Sequence, residues 1–258
     1  MLKVFGADDS DIHRMLLMLL ADGERVAMRN PLPQVQQAFH PQWPEARLPD
    51  GASLLSACDY QEIPKGLAGG LQMIHNRRLD HWMDWAYSGE DWQFKNRIIL
   101  PYRFRGAIVG YNARLINHHE KSKFPKYITA KPPGFVFNLD NQRKKSKSVI
   151  ITEGDFDAIT VGGVSLGTNS ASHEQISLIS QLKKQPILCP DADQAGEKLI
   201  DTAIRAGWYV SFPEWMHEFK DANAAAEKYG RSFVIASILN AATKNSTKIQ
   251  VLAKMMLT

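Results

Sequence analysis

Short apolar runs alternate with amphipathic stretches through the second half of the chain. Residues 149–152, 164–166, 186–189 and 208–212 are apolar and bounded by polar or glycine-containing segments. That is the pattern of strands buried on both faces. Between them, 156–161, 172–182 and 194–206 carry apolar residues at helical spacing. The alternation predicts a parallel sheet with helices on its faces. Apolar faces over 232–239 and 247–257 predict two closing helices.

The first half reads differently. Residues 97–103 and 107–115 are strand-like and flank Arg105-Gly106, a hairpin turn. Shorter strands are expected at 127–129 and 135–138. The polar, basic segment 142–148 predicts a boundary. Nearer the N-terminus, 11–21 predicts a helix with Ile12, Met15, Leu16 and Leu19 on one side and Ser10 or Asp11 as its cap. Proline-rich 30–66, with Trp43, predicts irregular structure packed on another element. Residues 79–87 predict a helix burying Trp82, Trp85 and Ala86. The expected division is a mostly helical or irregular part at 1–93, a basic strand-rich part at 94–147, an α/β domain at 148–230 and C-terminal helices at 231–258.

Composition, 44% hydrophobic and 22% charged over 258 residues, is that of a globular protein. The distribution of charge is more informative. From Lys95 to Lys147 there are 13 Lys and Arg against two acids, Glu120 and Asp140, so this window is +11 and the remainder −7. A basic middle between acidic flanks suits a protein that holds a polyanion in one place, although a solvated basic face has the same composition. No apolar run has the length of a membrane span, and no secretory signal is apparent. Cys58 and Cys189 stand too far apart for a zinc motif and are expected to be reduced thiols in the cytoplasm.

The acids of the α/β region are placed by its alternation. Glu153-Gly154-Asp155-Phe156-Asp157 follows the first predicted strand, and Pro190-Asp191-Ala192-Asp193-Gln194-Ala195-Gly196 follows the third. Ligands of open α/β sheets bind outside those strand ends. Glu153, Asp191 and Asp193 are therefore expected at one edge, where Asp221 of Lys220-Asp221-Ala222-Asn223 can join them. Crowded carboxylates repel unless a cation sits among them. Oxygen ligands without His or Cys point to Mg²⁺ or Mn²⁺, two or more ions. Gly154 and Gly196 suit backbone that passes close to the site. A lone acid after a strand is often only a helix cap; the two motifs in this order are far more specific.

E-G-x-x-D after one strand and D-x-D-x-A-G after a later one resemble the signature of the TOPRIM fold, over about residues 148–225. That fold serves primases, topoisomerases, OLD-type nucleases and the recombination protein RecR. Upstream, Asn96-Arg97-Ile98-Ile99-Leu100-Pro101-Tyr102-Arg103, Ile108-Val109-Gly110-Tyr111-Asn112-Ala113-Arg114 and Pro125-Lys126-Tyr127-Ile128 resemble the segment before TOPRIM in DnaG-type and bacteriophage primases. Lys220-Asp221-Ala222-Asn223 is similar to the phage enzymes.

This resemblance implies an α/β TOPRIM fold preceded by a mixed α/β basic subdomain, and an enzyme that makes RNA primers on single-stranded DNA from NTPs. It implies that Glu153, Asp191 and Asp193 are catalytic and hold Mg²⁺, with Asp157 and Asp221 supporting the metals. Arg97, Arg103, Arg114 and Lys126 would contact triphosphate or template phosphates. Phe135-Val136-Phe137-Asn138-Leu139 stands where the bacterial enzymes carry a further lysine, and Lys131 is the lysine nearest to it. No zinc-ribbon cysteines and no helicase motif are present, so a replicative helicase and a zinc-ribbon module on another chain, or removed from this one, are expected partners. A TOPRIM nuclease and a non-catalytic module that holds single-stranded DNA or a helicase are alternatives, separated by the reaction product.

Overall fold

The computed structural model describes residues 38–58, 63–89, 91–116, 122–143 and 146–256. The helix expected over 11–21 lies outside them.

The first sheet is an antiparallel meander in chain order: β1 (Ala52–Leu54), β2 (Ala86–Ser88), β3 (Arg97–Phe104), β4 (Ala107–Leu115) and β5 (Tyr127–Ala130). The β3–β4 turn is Arg105-Gly106, and both residues have positive φ, 51° and 85°. That conformation matches the right-handed twist of the flanking strands. Helix α1 (Lys65–Asn76), which packs on β3, was not evident in the sequence because Gly69 and Gly70 interrupt its pattern. A Cβ at Gly70 would lie 2.5 Å from Ile98 Cδ1, so glycine sets how closely helix and sheet approach.

The helix expected over 79–87 is a correction. Residues 80–81 turn, 82–85 belong to no helix or strand, and β2 follows. Trp85, Ala86, Tyr87 and Ser88 are buried in succession, which a strand covered on both faces achieves and one stripe of a helix does not. The segment at 135–138, expected as a strand, forms no strand of either ladder, and Asn138 leaves it with a φ of 61°. It touches the second sheet through a single bridge, Phe137 to Ser165. The expected division at residue 94 runs through the first sheet, since β1 and β2 precede it.

The second sheet has the order β10-β9-β8-β6-β7. Its strands are β6 (Ser148–Thr152), β7 (Val164–Ser165), β8 (Gln185–Leu188), β9 (Tyr209–Ser211) and β10 (Ala242–Thr243). The first four pair in parallel, and β10 closes one edge antiparallel. Helices α2 (Asp155–Val161), α3 (His173–Gln181) and α4 (Glu197–Ala206) connect the parallel strands. Then come α5 (Ala222–Tyr229), α6 (Arg231–Ala241) and α7 (Ser246–Met256); α5 and β10 had no clear sequence signal. Ile151, Val164, Leu188 and Val210 are fully buried in this sheet. Each such aliphatic side chain contributes about 1.5–3 kcal/mol through removal from water. The aromatic side chains of Phe135 and Phe137 join the core of the first sheet, while Val136 between them joins that of the second.

Candidate functional site

The C-terminal ends of β6 and β8 open into a cavity of about 480 Å³. Glu153 leaves β6, and its Oε1 accepts the backbone N–H of Asp191 at 3.3 Å, tying the two strand ends together. The chain is tight here. A Cβ at Gly196 would lie 2.9 Å from the Asp191 carbonyl and 3.2 Å from Glu153 Oε1, and one at Gly154 2.7 Å from Asp157 Oδ2. Close approach to the Asp191 carbonyl requires glycine at 196, whereas a Cβ at 154 would displace the Asp157 carboxylate.

Glu153, Asp157, Asp191 and Asp221 line the cavity, so the two strand ends and the start of α5 converge as expected. Asp191 is pushed up to about 7, first by burial and then by the charges of Glu153 and Asp221. Burial also raises Glu153, partly offset by the Asp191 N–H. Asp157 is raised by burial and by facing Asp221 and Asp191, while its Oδ1 accepts the Asn223 N–H at 2.8 Å. Asp221 caps α5, accepting from Ala224 N at 2.7 Å. Asp193 does not line the cavity. Its Oδ2 pairs with Lys220 Nζ at 2.8 Å, and its Oδ1 accepts Gly196 N–H at 3.3 Å. Among the described residues no three His, Cys, Asp or Glu side chains already stand in metal-binding geometry.

The opposite wall comes from the first sheet. Arg114 on β4 lies over the Phe156 ring at 4.9 Å and the Tyr127 ring at 5.2 Å, and it donates to the Tyr127 hydroxyl. Burial lowers its pKa. Lys126 lines the same wall and is lowered by burial and by Arg114 and Arg77. Lys131 also reaches the cavity, where its Nζ donates to the carbonyls of Leu166 at 2.9 Å and Gly167 at 3.2 Å.

Two expected phosphate contacts are corrected. Arg97 is 1% exposed, and its guanidinium donates to the carbonyls of Gln93, Ala113, Pro125 and Lys126. It is committed to anchoring the 125–126 segment to the sheet. Arg103 forms a two-pronged pair with Asp84 at 2.6 and 3.0 Å and also donates to Gly106 O. Neither lines the cavity. The sequence pattern missed this because a buried arginine in a strand looks like an exposed one.

Among the lining residues to which the sequence assigns no role, three hold the walls together. Asp155, inside the first acidic motif, is buried and accepts from Tyr102, Asn112 and Ser165. Asn223, inside the Lys220–Asn223 motif, takes a bond from Arg77 Nη1 at 2.7 Å and donates to Arg77 O and Thr160 Oγ1 at 2.9 Å each. Arg77 carried no local signal, since its partner is 146 residues away.

Residues 150–226 match the family model described as Toprim-like, so the second sheet carries a Toprim-like domain. Beyond that domain, the chain resembles DNA primases. The DNA primase of Haemophilus influenzae is 34% identical over 128 residues, which is 44% of this chain and 21% of the relative. The RNA polymerase domain of Mycobacterium tuberculosis primase DnaG superposes with a TM-score of 0.56 at 15% identity, over 90% of this chain and 84% of that one. A DnaG primase catalytic domain bound to ssDNA has a TM-score of 0.56 at 15% identity, over 74% and 77%. At these identities the structural matches establish the fold: α/β, that of a DnaG primase catalytic core. The match to the curated primase spans about a fifth of that protein's length.

Proposed function

We propose that the chain is the catalytic core of a DNA primase, a nucleotidyltransferase that joins ribonucleotides into a short primer on single-stranded DNA. The observation that carries this reading is the make-up of one cavity. Five carboxylates from the edge of the Toprim-like sheet, Glu153, Asp155, Asp157, Asp191 and Asp221, share this cavity with Arg114, Lys126 and Lys131 from the other half of the molecule. The similarity to DNA primases over 44% of the chain supports it.

The carboxylates fit Mg²⁺ or Mn²⁺ in donor chemistry, because they are hard oxygen ligands and no His or Cys lines the cavity. Burial and mutual repulsion hold Glu153, Asp157 and Asp191 above the usual carboxylate range, and a cation would relieve that repulsion. Glu153, Asp191 and Asp193 would hold the ions, with Asp157 and Asp221 in support. When bound, such ions activate a hydroxyl and stabilise a leaving pyrophosphate oxygen. Asp193 joins them once Lys220 releases it, which leaves the Lys220 ammonium at the cavity for a phosphate. Arg114 and Lys126 neutralise and orient triphosphate or template phosphates. A replicative helicase and a zinc-ribbon module on another chain are the partners this reading expects.

The test is a gel. The chain is mixed with labelled single-stranded DNA, labelled NTPs and Mg²⁺, alone and with a zinc-ribbon module and helicase, beside Asp191→Asn/Asp193→Asn. Short RNA lost in the variant is the expected result. Cut DNA lost in the variant would replace primase with nuclease. No RNA under any condition would overturn the assignment.

A further inference from the structure

Five non-glycine residues among the described ones have positive φ: Arg78, Asn96, Arg105, Asn138 and Lys183. Asparagine tolerates this region well; arginine and lysine do not. Arg105 (φ 51°) and Lys183 (φ 52°) line one cavity. Lys183 follows the last turn of α3, where glycine is the usual residue, and Arg105 opens a turn that favours Asn-Gly. Of the three cations at such positions, Arg78, Arg105 and Lys183, two share this cavity, which points to a use outside the fold.

The cavity is about 520 Å³ and lies between residues 39–41, the β3–β4 turn, residues 139–142 with Ser146, and the end of α3. Phe39, Phe104, Leu139, Leu178 and Leu182 give it an apolar lining, and Arg105, Lys183 and Lys184 give it cations. Lys147 sits beside Lys184, since its carbonyl accepts the Gln185 N–H at 2.9 Å. Asp140 is the one acid in the lining, and it accepts the backbone N–H of Arg105 at 2.5 Å. An apolar surface beside grouped cations suits a nucleotide, with its base on the one and its phosphate on the other.

This cavity is at the N-terminal end of β6, and the carboxylate cavity is at the C-terminal end. From Lys147 to Glu153 is six residues, about 20 Å of extended chain. A stacked single strand, at about 3.4 Å per nucleotide, needs about six nucleotides for that distance. We propose that this is a second nucleotide-binding pocket, which holds one base and phosphate of a single strand already engaged at the carboxylate cavity. The proposal rests on the reading that the chain binds single-stranded DNA.

The experiment measures binding of dye-labelled oligo-dT of about 5 and about 20 nucleotides to the full chain. Arg105→Asn/Lys183→Gly is compared with wild type and with the charge-keeping Arg105→Lys/Lys183→Arg. The Asn/Gly variant should lose about tenfold in affinity for the long strand and about 0.7 in the log–log salt slope, one phosphate contact's worth. Its affinity for the short strand should stay the same, and its Tm should hold or rise, because the new residues suit the backbone. The charge-keeping variant should bind like wild type. Unchanged long-strand affinity, or equal losses at both lengths, would overturn the second pocket. The same loss for a nucleoside triphosphate alone would overturn the strand assignment in favour of a free nucleotide. If wild type binds neither strand, the primase reading itself fails, and this inference with it.

Discussion

The Tyr102 hydroxyl on β3 donates to Asp155 Oδ2, at the start of α2, at 2.7 Å. Asn112 of β4 donates to the same oxygen at 2.8 Å, and Ser165 of β7 to the other. One buried carboxylate thereby joins the antiparallel sheet to the Toprim-like sheet beside the cavity. Burial, and then the Asp155 charge, hold the Tyr102 phenol well above its usual pKa. Tyr102→Phe should cost about 1.5–3 kcal/mol, the range for a hydrogen bond to a charged group. Urea unfolding with an unchanged slope is the check, and a loss near zero would mean that the two halves are held by other contacts.

Asp191 makes the stability of the metal-free protein depend on pH. Its folded pKa of about 7 lies above the value of about 3.9 for an unfolded aspartate. The folded state therefore binds more protons between these values. The stabilisation linked to this proton is complete below about pH 4 and is lost as pH rises through about 7. Thermal melts in EDTA should show Tm falling over that window, and Asp191→Asn should flatten the fall. Adding Mg²⁺ at about pH 8 should raise the Tm of wild type far more than that of the variant. Identical pH profiles would remove Asp191 from the centre of the carboxylate cluster.

Arg97 and Lys126 were expected to act alike, and the structure separates them. Arg97→Met removes a donor from four carbonyls, of which Lys126 keeps the Leu115 N–H at 2.9 Å, and should cost more than about 2 kcal/mol, with DNA affinity per folded molecule preserved. Lys126→Ala should leave Tm nearly constant and reduce the salt slope of single-strand binding by about 0.7, one phosphate contact. Urea melts and anisotropy titrations on both variants decide this; the opposite pattern would reinstate Arg97 as a phosphate ligand.

Asn223 bonds to Arg77 twice and to Thr160, and its backbone N–H serves Asp157. Asn223→Asp adds a carboxylate beside buried Asp157. It should destabilise the fold by about 1–3 kcal/mol near neutral pH and less under acid conditions, where one carboxyl is protonated. Denaturation at two pH values measures it, and a pH-independent loss would indicate packing damage instead.

Local patterns carried much of this protein. The strand periodicity of β3, β4, β6 and β8, the Arg105-Gly106 turn, and the acids at the strand ends are short-range features, each within a few residues. They sufficed for the α/β sheet and for bringing Glu153, Asp157, Asp191 and Asp221 to one cavity. Tertiary structure decided what each polar side chain does there. Arg97 and Arg103 became internal anchors, and Asp193 was drawn into a pair with Lys220. Arg77, Asn112, Lys131 and Asn223 reached the cavity from distant elements. A side chain's role depends on which partners desolvate and satisfy it. Those partners lie tens to more than a hundred residues away, where no local pattern registers them. The sheet edge that gathers the acids was therefore written along the chain, while the cationic wall opposite exists only once the two sheets meet.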